Sequence, residues 1–257
     1  MMPAHLSLSY SNNYFDIEVD KFNKPISISG GTKILIENPE LIKICKKIAI
    51  GLILLSIFIA TIFVIIFSYP LTYLGFIIFG CMLGWFYSAP PIKLAYRGFG
   101  EIANMINMGL LMPGIGYWTM NGTLDLFFFV FAIPFFLYGL DFMIIVESPD
   151  MEGDIKGKKK TLVTRIGRKT SYKILLISIL SASIYFLVIS YSSLYFESIQ
   201  YIILFMLSII PLSIGIYGWF KQPTKKISSA KIATKNMFAL IFFMILVNIY
   251  LIIVTLI

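Results

Sequence analysis

Charged side chains are scarce in this chain of 257 residues, where Asp, Glu, Lys and Arg together make up only 13%. Soluble domains carry roughly a quarter. Hydrophobic residues reach 58%, which excludes both a water-soluble globule and a disordered chain, because neither tolerates so much apolar sequence. The sequence therefore predicts an integral membrane protein.

Histidine and cysteine are almost missing. His5 is the only histidine, which excludes histidine-based metal sites and histidine-dependent catalytic triads. Cys45 and Cys81 lie far apart, and the second is within an apolar run, so they are predicted to be small buried side chains rather than a disulfide framework. The first residues contain no basic region followed by an apolar core, which argues against a secretory signal peptide.

Long apolar runs dominate what is present. No charge occurs between Lys47 and Lys93, a length that fits two spans of about 20 residues each. The runs are apolar on every face, as helices in lipid must be, and lack the alternation of barrel strands. We therefore predict one all-α domain, a polytopic transmembrane helix bundle over residues 1–257. Its seven predicted spans are 48–67, 71–87, 102–119, 126–145, 172–191, 199–219 and 237–257.

The 21 lysines and arginines fall in, or directly beside, four alternate segments at about 1–47, 88–101, 147–171 and 220–236. Positive residues accumulate on the cytoplasmic side of membrane proteins. These segments are predicted to be cytoplasmic, with the N-terminus inside the cell and the C-terminus outside. Topology thus explains the net charge of +8, and no nucleic-acid partner is needed.

Two groups of oxygen-bearing side chains recur at helical spacing on the predicted cytoplasmic side. They are Asn12, Asp16 and Asp20, at i, i+4 and i+8, and Glu147, Asp150 and Asp154, at i, i+3 and i+7. Like charges one turn apart repel each other unless a cation lies between them. Oxygen ligands favour a hard ion such as Mg²⁺, which recruits substrate phosphates. These six residues are the predicted metal ligands.

Basic residues follow each acidic stripe and occupy the loop between them. Cations of this kind can hold the phosphate oxygens that a metal leaves free, so the pattern predicts a diphosphate binder at the membrane surface. A nucleotide site has little support, because no Gly-rich phosphate loop is present. The predicted diphosphate contacts are Lys21, Lys24, Lys93, Arg97, Lys160 and Arg165.

At these residues the sequence resembles the UbiA-type intramembrane prenyltransferases. Their first aspartate-rich motif, N-D/N-x-x-D-x-x-x-D, is similar to NNYFDIEVD at 12–20, and their second is similar to DMEGDIKGKKKTLVTRIG at 150–167. The loop YSAPPIKLAYRGFGE at 87–101 resembles that of members that prenylate quinone and chlorophyll precursors. Ser27 and Ile28 stand where the family often has an Arg-Pro pair.

The resemblance implies a helical bundle whose central cavity opens to the cytoplasmic side, where the two motifs face each other. It implies Mg²⁺-dependent transfer of a polyprenyl group from a prenyl diphosphate to a lipophilic or aromatic acceptor of the quinone-precursor type. Asp16, Asp20, Asp150 and Asp154 would be catalytic through the metal. Tyr87 would stabilise the allylic cation with its ring.

The family usually has nine spans, with the first motif at the end of the second span, whereas here that motif begins at Asn12. We therefore expect the chain to lack two helices of the family pattern. Two alternatives remain open. One is an ether-lipid enzyme resembling digeranylgeranylglyceryl phosphate synthase, and the other is a non-catalytic membrane protein that binds or transports lipid.

Overall fold

The computed structural model describes residues 2–23, 31–192 and 199–256. No strand occurs in these three ranges, and the predicted all-α polytopic bundle is confirmed. The α-helices are α1 (Met2–Phe15), α2 (Ile17–Asp20), α3 (Ile34–Glu37), α4 (Leu41–Ile66), α5 (Leu71–Ser88), α6 (Leu94–Arg97), α7 (Gly100–Ile106), α8 (Met112–Asn121), α9 (Leu126–Glu147), α10 (Met151–Lys156), α11 (Leu162–Ser190), α12 (Tyr201–Lys221) and α13 (Lys226–Leu256).

Six of the helices in the described part of the chain are long and apolar enough to cross a membrane: α4, α5, α9, α11, α12 and α13. The remaining predicted span, 102–119, lies in α7, a π-helical segment at Asn107–Leu111 and α8, which follow one another directly. A π segment adds a residue to a turn without ending a helix. The count of seven spans stays a prediction.

Three membrane helices begin well before the predicted spans. α4 starts at Leu41 rather than 48, α11 at Leu162 rather than 172, and α13 at Lys226 rather than 237. The predicted bounds stopped at the last lysine of each run, but a helix continues through lysines because their long stems reach from the apolar surface to water. The predicted cytoplasmic segment 1–47 likewise contains α1, which packs against α4 and α5.

The main core lies between α9, α11, α12 and α13. Its largest fully buried side chains include Tyr138, Tyr172, Phe186 and Phe243. The other part of the bundle, where α1, α4, α5 and α8 meet α9, contains an apolar cavity instead. The acidic stripes lie at one end of this cavity, so the fold places a polar site directly beside an apolar space.

Candidate active site

Both acidic stripes line one polar pocket of about 220 Å³. The structure thus brings together two groups of residues that are far apart in the sequence. All six predicted metal ligands are among the lining side chains: Asn12, Asp16, Asp20, Glu147, Asp150 and Asp154. The pocket is bounded by α1 and α2 on one side and by the α9 end and α10 on the other.

The first acidic stripe keeps its helical spacing across the break between α1 and α2. α1 ends at Phe15 and α2 begins at Ile17, yet the Asp16 amide donates to the Asn12 carbonyl at 2.8 Å and the Asp20 amide donates to the Asp16 carbonyl at 2.9 Å. These bonds preserve the i, i+4 register of a helix. The three side chains therefore stay on one face, as their spacing predicts.

The second stripe crosses a similar break between α9 and α10. The Asp150 amide donates to the Glu147 carbonyl, and the Asp154 amide donates to the Asp150 carbonyl, both at 2.9 Å. Glu147 and Asp154 are buried. The helix-like register of this turn directs its carboxylates into the pocket.

Two glycines let α10 approach α2. A Cβ atom at Gly153 would lie 1.8 Å from Asn23 Oδ1, and one at Gly157 would lie 2.6 Å from Val19 Cγ2. Real Cβ contacts are not this short, so larger residues would push the two acidic stripes apart. The close approach allows Asn23 to donate from Nδ2 to Asp154 Oδ1 at 3.4 Å. Sequence reasoning did not identify Asn23, whose partner is distant along the chain.

Asp16 is the most extensively bonded acid of the pocket. The Tyr96 hydroxyl donates to its Oδ1 at 2.7 Å, the Ser88 hydroxyl donates to its Oδ2 at 3.1 Å, and the Lys159 ammonium donates to the same Oδ2 at 2.7 Å. The three donors come from the end of α5, from α6 and from the loop after α10. Asp16 therefore joins the loop 89–99 to the second acidic segment.

Lys159 is the only cation among the pocket-lining residues that the structure describes. Its side chain is 15% exposed and pairs with Asp16. The positive φ of 59° at Lys158 turns the chain, and the Lys159 amide then donates to the Asp154 carbonyl at 2.9 Å. The predicted contact in this run is Lys160 rather than Lys159, because four nearly adjacent lysines carry no signal of which one points inward.

The predicted diphosphate contacts lie around the pocket rather than on its wall. Lys21 pairs with Glu18 at 2.6 Å and is about half exposed, while Lys93 Nζ lies 5.1 Å from the ring centroid of Tyr96. Lys24 lies outside the described residues, as do Ser27 and Ile28.

The remaining three predicted contacts are exposed. The Arg97 guanidinium donates to the Pro91 carbonyl at 2.9 Å. Arg165 lies near Gly98, where a Cβ atom would be 3.0 Å from its Nη1. Lys160 is exposed beside the inward-facing Lys159. These side chains place positive charge near the loop 89–99 but outside the pocket.

Burial sets the electrostatics of the pocket. It raises the pKa of Asp20 to about 7, with the charge of Asp16 adding to the shift and Lys159 opposing it. Burial also raises the pKa of Asp154 to about 6, although Lys159 and Asn23 oppose the shift. Burial lowers the pKa of Lys159, but the charges of Asp16 and Asp154 outweigh it and hold that pKa above its usual value. The pocket thus contains several closely spaced carboxyl groups and, among the described residues that line it, a single positive charge, that of Lys159.

The donor set suits a hard cation. Asn12 Oδ1 and Asn23 Oδ1 are buried without a hydrogen-bond partner. Leaving such atoms unpaired costs about 1–3 kcal/mol each. Among the residues that the structure describes, no three His, Cys, Asp or Glu side chains form a ready-made metal cluster. Oxygen ligands that are close but not converged fit Mg²⁺, which keeps waters or substrate phosphates in its coordination shell.

An apolar cavity of about 550 Å³ adjoins this pocket. Four residues line both spaces: Asn12, Tyr87, Met143 and Val146. Tyr87, the predicted catalytic aromatic, therefore stands at the junction between the acids and the apolar cavity. Its hydroxyl is near Gly100, where a Cβ atom would lie 3.4 Å from it.

Arg168 holds the second acidic segment in place, a role that sequence reasoning missed. Its side chain is 2% exposed. Nε donates to the Ser148 carbonyl at 2.6 Å, and Nη1 donates to Glu152 Oε1 at 2.6 Å and to the Thr224 carbonyl at 3.0 Å. The guanidinium thus joins the turn before Asp150, helix α10 and the chain leading into α13.

Two curated proteins are similar to parts of this chain. The chain is 28% identical over 102 residues to a 2-carboxy-1,4-naphthoquinone phytyltransferase of Synechocystis sp., a match covering 38% of this chain and 32% of the relative. It is 27% identical over 106 residues to a 1,4-dihydroxy-2-naphthoate octaprenyltransferase of Bacillus subtilis, covering 41% of this chain and 34% of the relative.

The matched segments span about a third of the length of these curated relatives. No solved structure matches the chain. A family model, described as the UbiA prenyltransferase family, matches residues 1–247, which is nearly the whole sequence. The chain belongs to the UbiA prenyltransferase family.

Proposed function

We propose that this protein transfers a prenyl group from a prenyl diphosphate to an aromatic acceptor, with Mg²⁺ bound at the diphosphate. The observation that supports this most strongly is the junction of two unlike spaces. An acid-lined pocket of about 220 Å³ shares Asn12, Tyr87, Met143 and Val146 with an apolar cavity of about 550 Å³. A prenyl diphosphate has the matching form, a charged head on an apolar chain.

The head of the substrate belongs in the polar pocket. Asp16, Asp20, Asp150 and Asp154, with Asn12 and Glu147, supply only oxygen ligands, and these residues would hold Mg²⁺. When bound, Mg²⁺ neutralises diphosphate charge most strongly as the carbon–oxygen bond breaks, which makes the diphosphate a better leaving group. The buried ammonium of Lys159 adds a fixed positive charge at the same place.

The reacting carbon would lie at the junction. Loss of diphosphate leaves an allylic cation, which the π face of Tyr87 stabilises in a site without bulk water. The apolar wall formed by residues such as Met143 and Val146 excludes water, so the acceptor carbon captures the cation before hydrolysis does. The acceptor carbon forms the new carbon–carbon bond and then loses its proton to the released diphosphate, which restores the aromatic ring.

An aromatic acceptor is supported by the names of the two relatives, which act on naphthoquinone and naphthoate compounds. The resemblance of the 87–101 loop to the quinone and chlorophyll-precursor branch points the same way. Lys93 and Arg97 stand on this loop and would serve an acidic acceptor, either an aromatic carboxylate or a glycerol phosphate. The ether-lipid alternative is therefore one outcome of the test.

The test incubates membranes containing the chain with Mg²⁺ and a labelled prenyl diphosphate. One arm receives an aromatic carboxylic acid such as 1,4-dihydroxy-2-naphthoate, and the other receives geranylgeranylglyceryl phosphate. We expect prenylated product in the first arm only, and none when EDTA replaces Mg²⁺. Product in the glycerol phosphate arm alone would overturn the proposal that the acceptor is aromatic.

Matched variants connect this activity with the pocket. Asp16→Asn and Asp154→Asn keep the side-chain shapes but remove ligand charge, and we expect a loss of more than about a hundredfold, since even residues behind the ligands cost 10–100-fold. Glu37→Gln, an equivalent change at an exposed acid, should keep wild-type activity. Binding of the prenyl diphosphate with no product in any arm would favour the non-catalytic alternative.

A further inference from the structure

The end of the apolar cavity away from the acids is formed by two aromatic side chains and a threonine, which come from three helices. Phe63 of α4, Tyr73 of α5 and Thr119 of α8 line the cavity there. The Tyr73 hydroxyl and Thr119 Oγ1 are 2.8 Å apart, and the rings of Phe63 and Tyr73 stack with centroids 5.7 Å apart. We call these three residues the cavity floor.

Tyr69 supports the floor from behind. Its hydroxyl donates to the Thr119 carbonyl at 2.6 Å, and its ring centroid lies 5.0 Å from that of Phe63 and 5.1 Å from that of Tyr73. Tyr73 is 4% exposed. Moving the floor would therefore break interhelical hydrogen bonds and ring contacts together, so we treat it as a rigid wall.

The distance between the cavity floor and the acidic pocket sets the length of prenyl chain that the cavity can hold. Tyr73 at the floor and Tyr87 at the junction lie on the same helix, and the rise between them is about 21 Å at ~1.5 Å per residue. An isoprene unit adds four chain carbons, or about 5 Å when extended with bonds of roughly 1.5 Å. The cavity is therefore about four isoprene units long.

The volume agrees with this length. A carbon group of a hydrocarbon chain takes up about as much space as a water molecule in liquid, roughly 30 Å³. A cavity of about 550 Å³ accordingly holds on the order of 20 carbon atoms, which is again about four isoprene units. The names of the two relatives differ in the group transferred, phytyl in one and octaprenyl in the other.

We infer that Phe63, Tyr73 and Thr119 limit the prenyl diphosphates this protein accepts to chains of about four isoprene units, an inference that rests on the proposed function. A chain of that length would fill the cavity from the junction to the floor. A longer chain would have to displace packed aromatic rings, and overpacking of a filled site is unfavourable.

The test measures retention, so it does not depend on an acceptor. The chain in lipid nanodiscs is incubated with Mg²⁺ and an equimolar mixture of unreactive prenyl thiodiphosphates of two to eight isoprene units, and the retained species are measured by mass spectrometry. We expect the four-unit compound to be retained about tenfold or more over the eight-unit compound.

Variants move the limit in opposite directions. Phe63→Ala opens the floor and should shift retention towards longer chains. Ile77→Trp narrows the cavity one helical turn from Tyr73 and should shift it to three units or fewer, which also tests the inference if Phe63→Ala does not fold. Phe58→Ala, on the same helix but 61% exposed, should leave the wild-type distribution unchanged.

Each result decides between the two proposals. Equal retention of four- and eight-unit compounds by the wild type, or one distribution in all variants, would overturn the length limit and leave the proposed function standing. Retention of no compound at any length would overturn the diphosphate site and the length limit together.

Discussion

The carboxylate of Asp20 shows how strongly position changes the chemistry of a side chain. An acid with an ordinary pKa of 3.8 has a pKa of about 7 here, first because it is buried and then because Asp16 is close. The folded protein keeps the Asp20 proton up to about pH 7, whereas the unfolded chain releases it near pH 4. Raising the pH between these values therefore favours the unfolded chain.

This shift predicts how stability depends on pH when divalent metal is removed. The melting temperature of the wild type in EDTA should fall between pH 5 and pH 8, and in Asp20→Asn it should fall less, because that side chain has no proton to lose. The difference should be a few degrees, since ~1 kcal/mol corresponds to about 2–4 °C in a chain of this size. Thermal unfolding followed by intrinsic fluorescence measures both.

The control for this experiment is Glu37→Gln, which removes an exposed acid. Its curve should have the wild-type slope. Parallel curves for the wild type and Asp20→Asn would contradict the assignment of the shift to Asp20.

Individual residues of the pocket also show which parts of the site could be predicted from the sequence. The acids at 12–20 and 147–154 were predictable because their i, i+3 and i+4 spacing survives the helix breaks. Lys159, Asn23 and Tyr96 were not, because each contacts its partner only after distant segments pack together. Sequence spacing describes one element at a time, whereas a site between elements depends on their packing.

Helix α10 and the start of α11 depend on one another through Arg168. The guanidinium bonds to the Ser148 and Thr224 carbonyls and to Glu152, and α11 has a non-helical φ of 77° at the preceding Gly167. Arg168 comes directly after this kink, where the part of α11 that continues to Ser190 begins, and its side chain bonds to the acidic segment. We conclude that Arg168 is a positioning residue for Asp150 and Asp154.

Arg168→Gln should weaken Mg²⁺ use more than it weakens folding. The variant leaves buried carbonyls unpaired and frees the turn before Asp150, and loss of such support typically costs 10–100-fold in metal affinity. We expect the Mg²⁺ concentration for half-maximal prenyl transfer to rise within that range. Titration of activity with Mg²⁺ measures this, and circular dichroism checks that the helices remain.

Lys169→Gln is the matched control, because Lys169 is an exposed cation on the same helix and is not one of the predicted diphosphate contacts. It should need the same Mg²⁺ concentration as the wild type. An equal shift in both variants would indicate a general loss of positive charge and contradict the positioning role.

The helices themselves were more predictable than their ends. Apolar length alone predicted the six helices that the structure shows to be long and apolar enough to cross a membrane, because lipid requires every backbone group to be bonded within its own helix. It did not predict the π segment at Asn107–Leu111 or the early starts of α4, α11 and α13. The early starts were not predicted because lysines lower the mean hydropathy of a segment, although their long stems allow a helix to continue through them.

Orientation in the membrane follows from the distribution of charge over the whole chain. If the 21 lysines and arginines mark the cytoplasm, reporter fusions after residues 47, 93, 160 and 226 should be cytoplasmic. Fusions near residues 70 and 121 should be external. A mixed pattern would contradict both the seven-span topology and a cytoplasmic acidic pocket.

The molecule has a second apolar space that offers a different place for a chain. A groove of about 470 Å³ runs along α13 and is lined by Met108, Met237, Met244 and Asn248, with Phe142 lining both this groove and the cavity beside the acids. We propose that the prenyl chain lies in the cavity that shares Asn12 and Tyr87 with the acidic pocket. The groove lacks that connection to the acids.

A structure determined with Mg²⁺ and an unreactive four-unit prenyl thiodiphosphate tests this account most directly. We predict the diphosphate between Asp16, Asp20, Asp150 and Asp154, and the prenyl chain running past Tyr87 to the cavity floor. A diphosphate bound elsewhere, or a prenyl chain in the groove along α13, would contradict it.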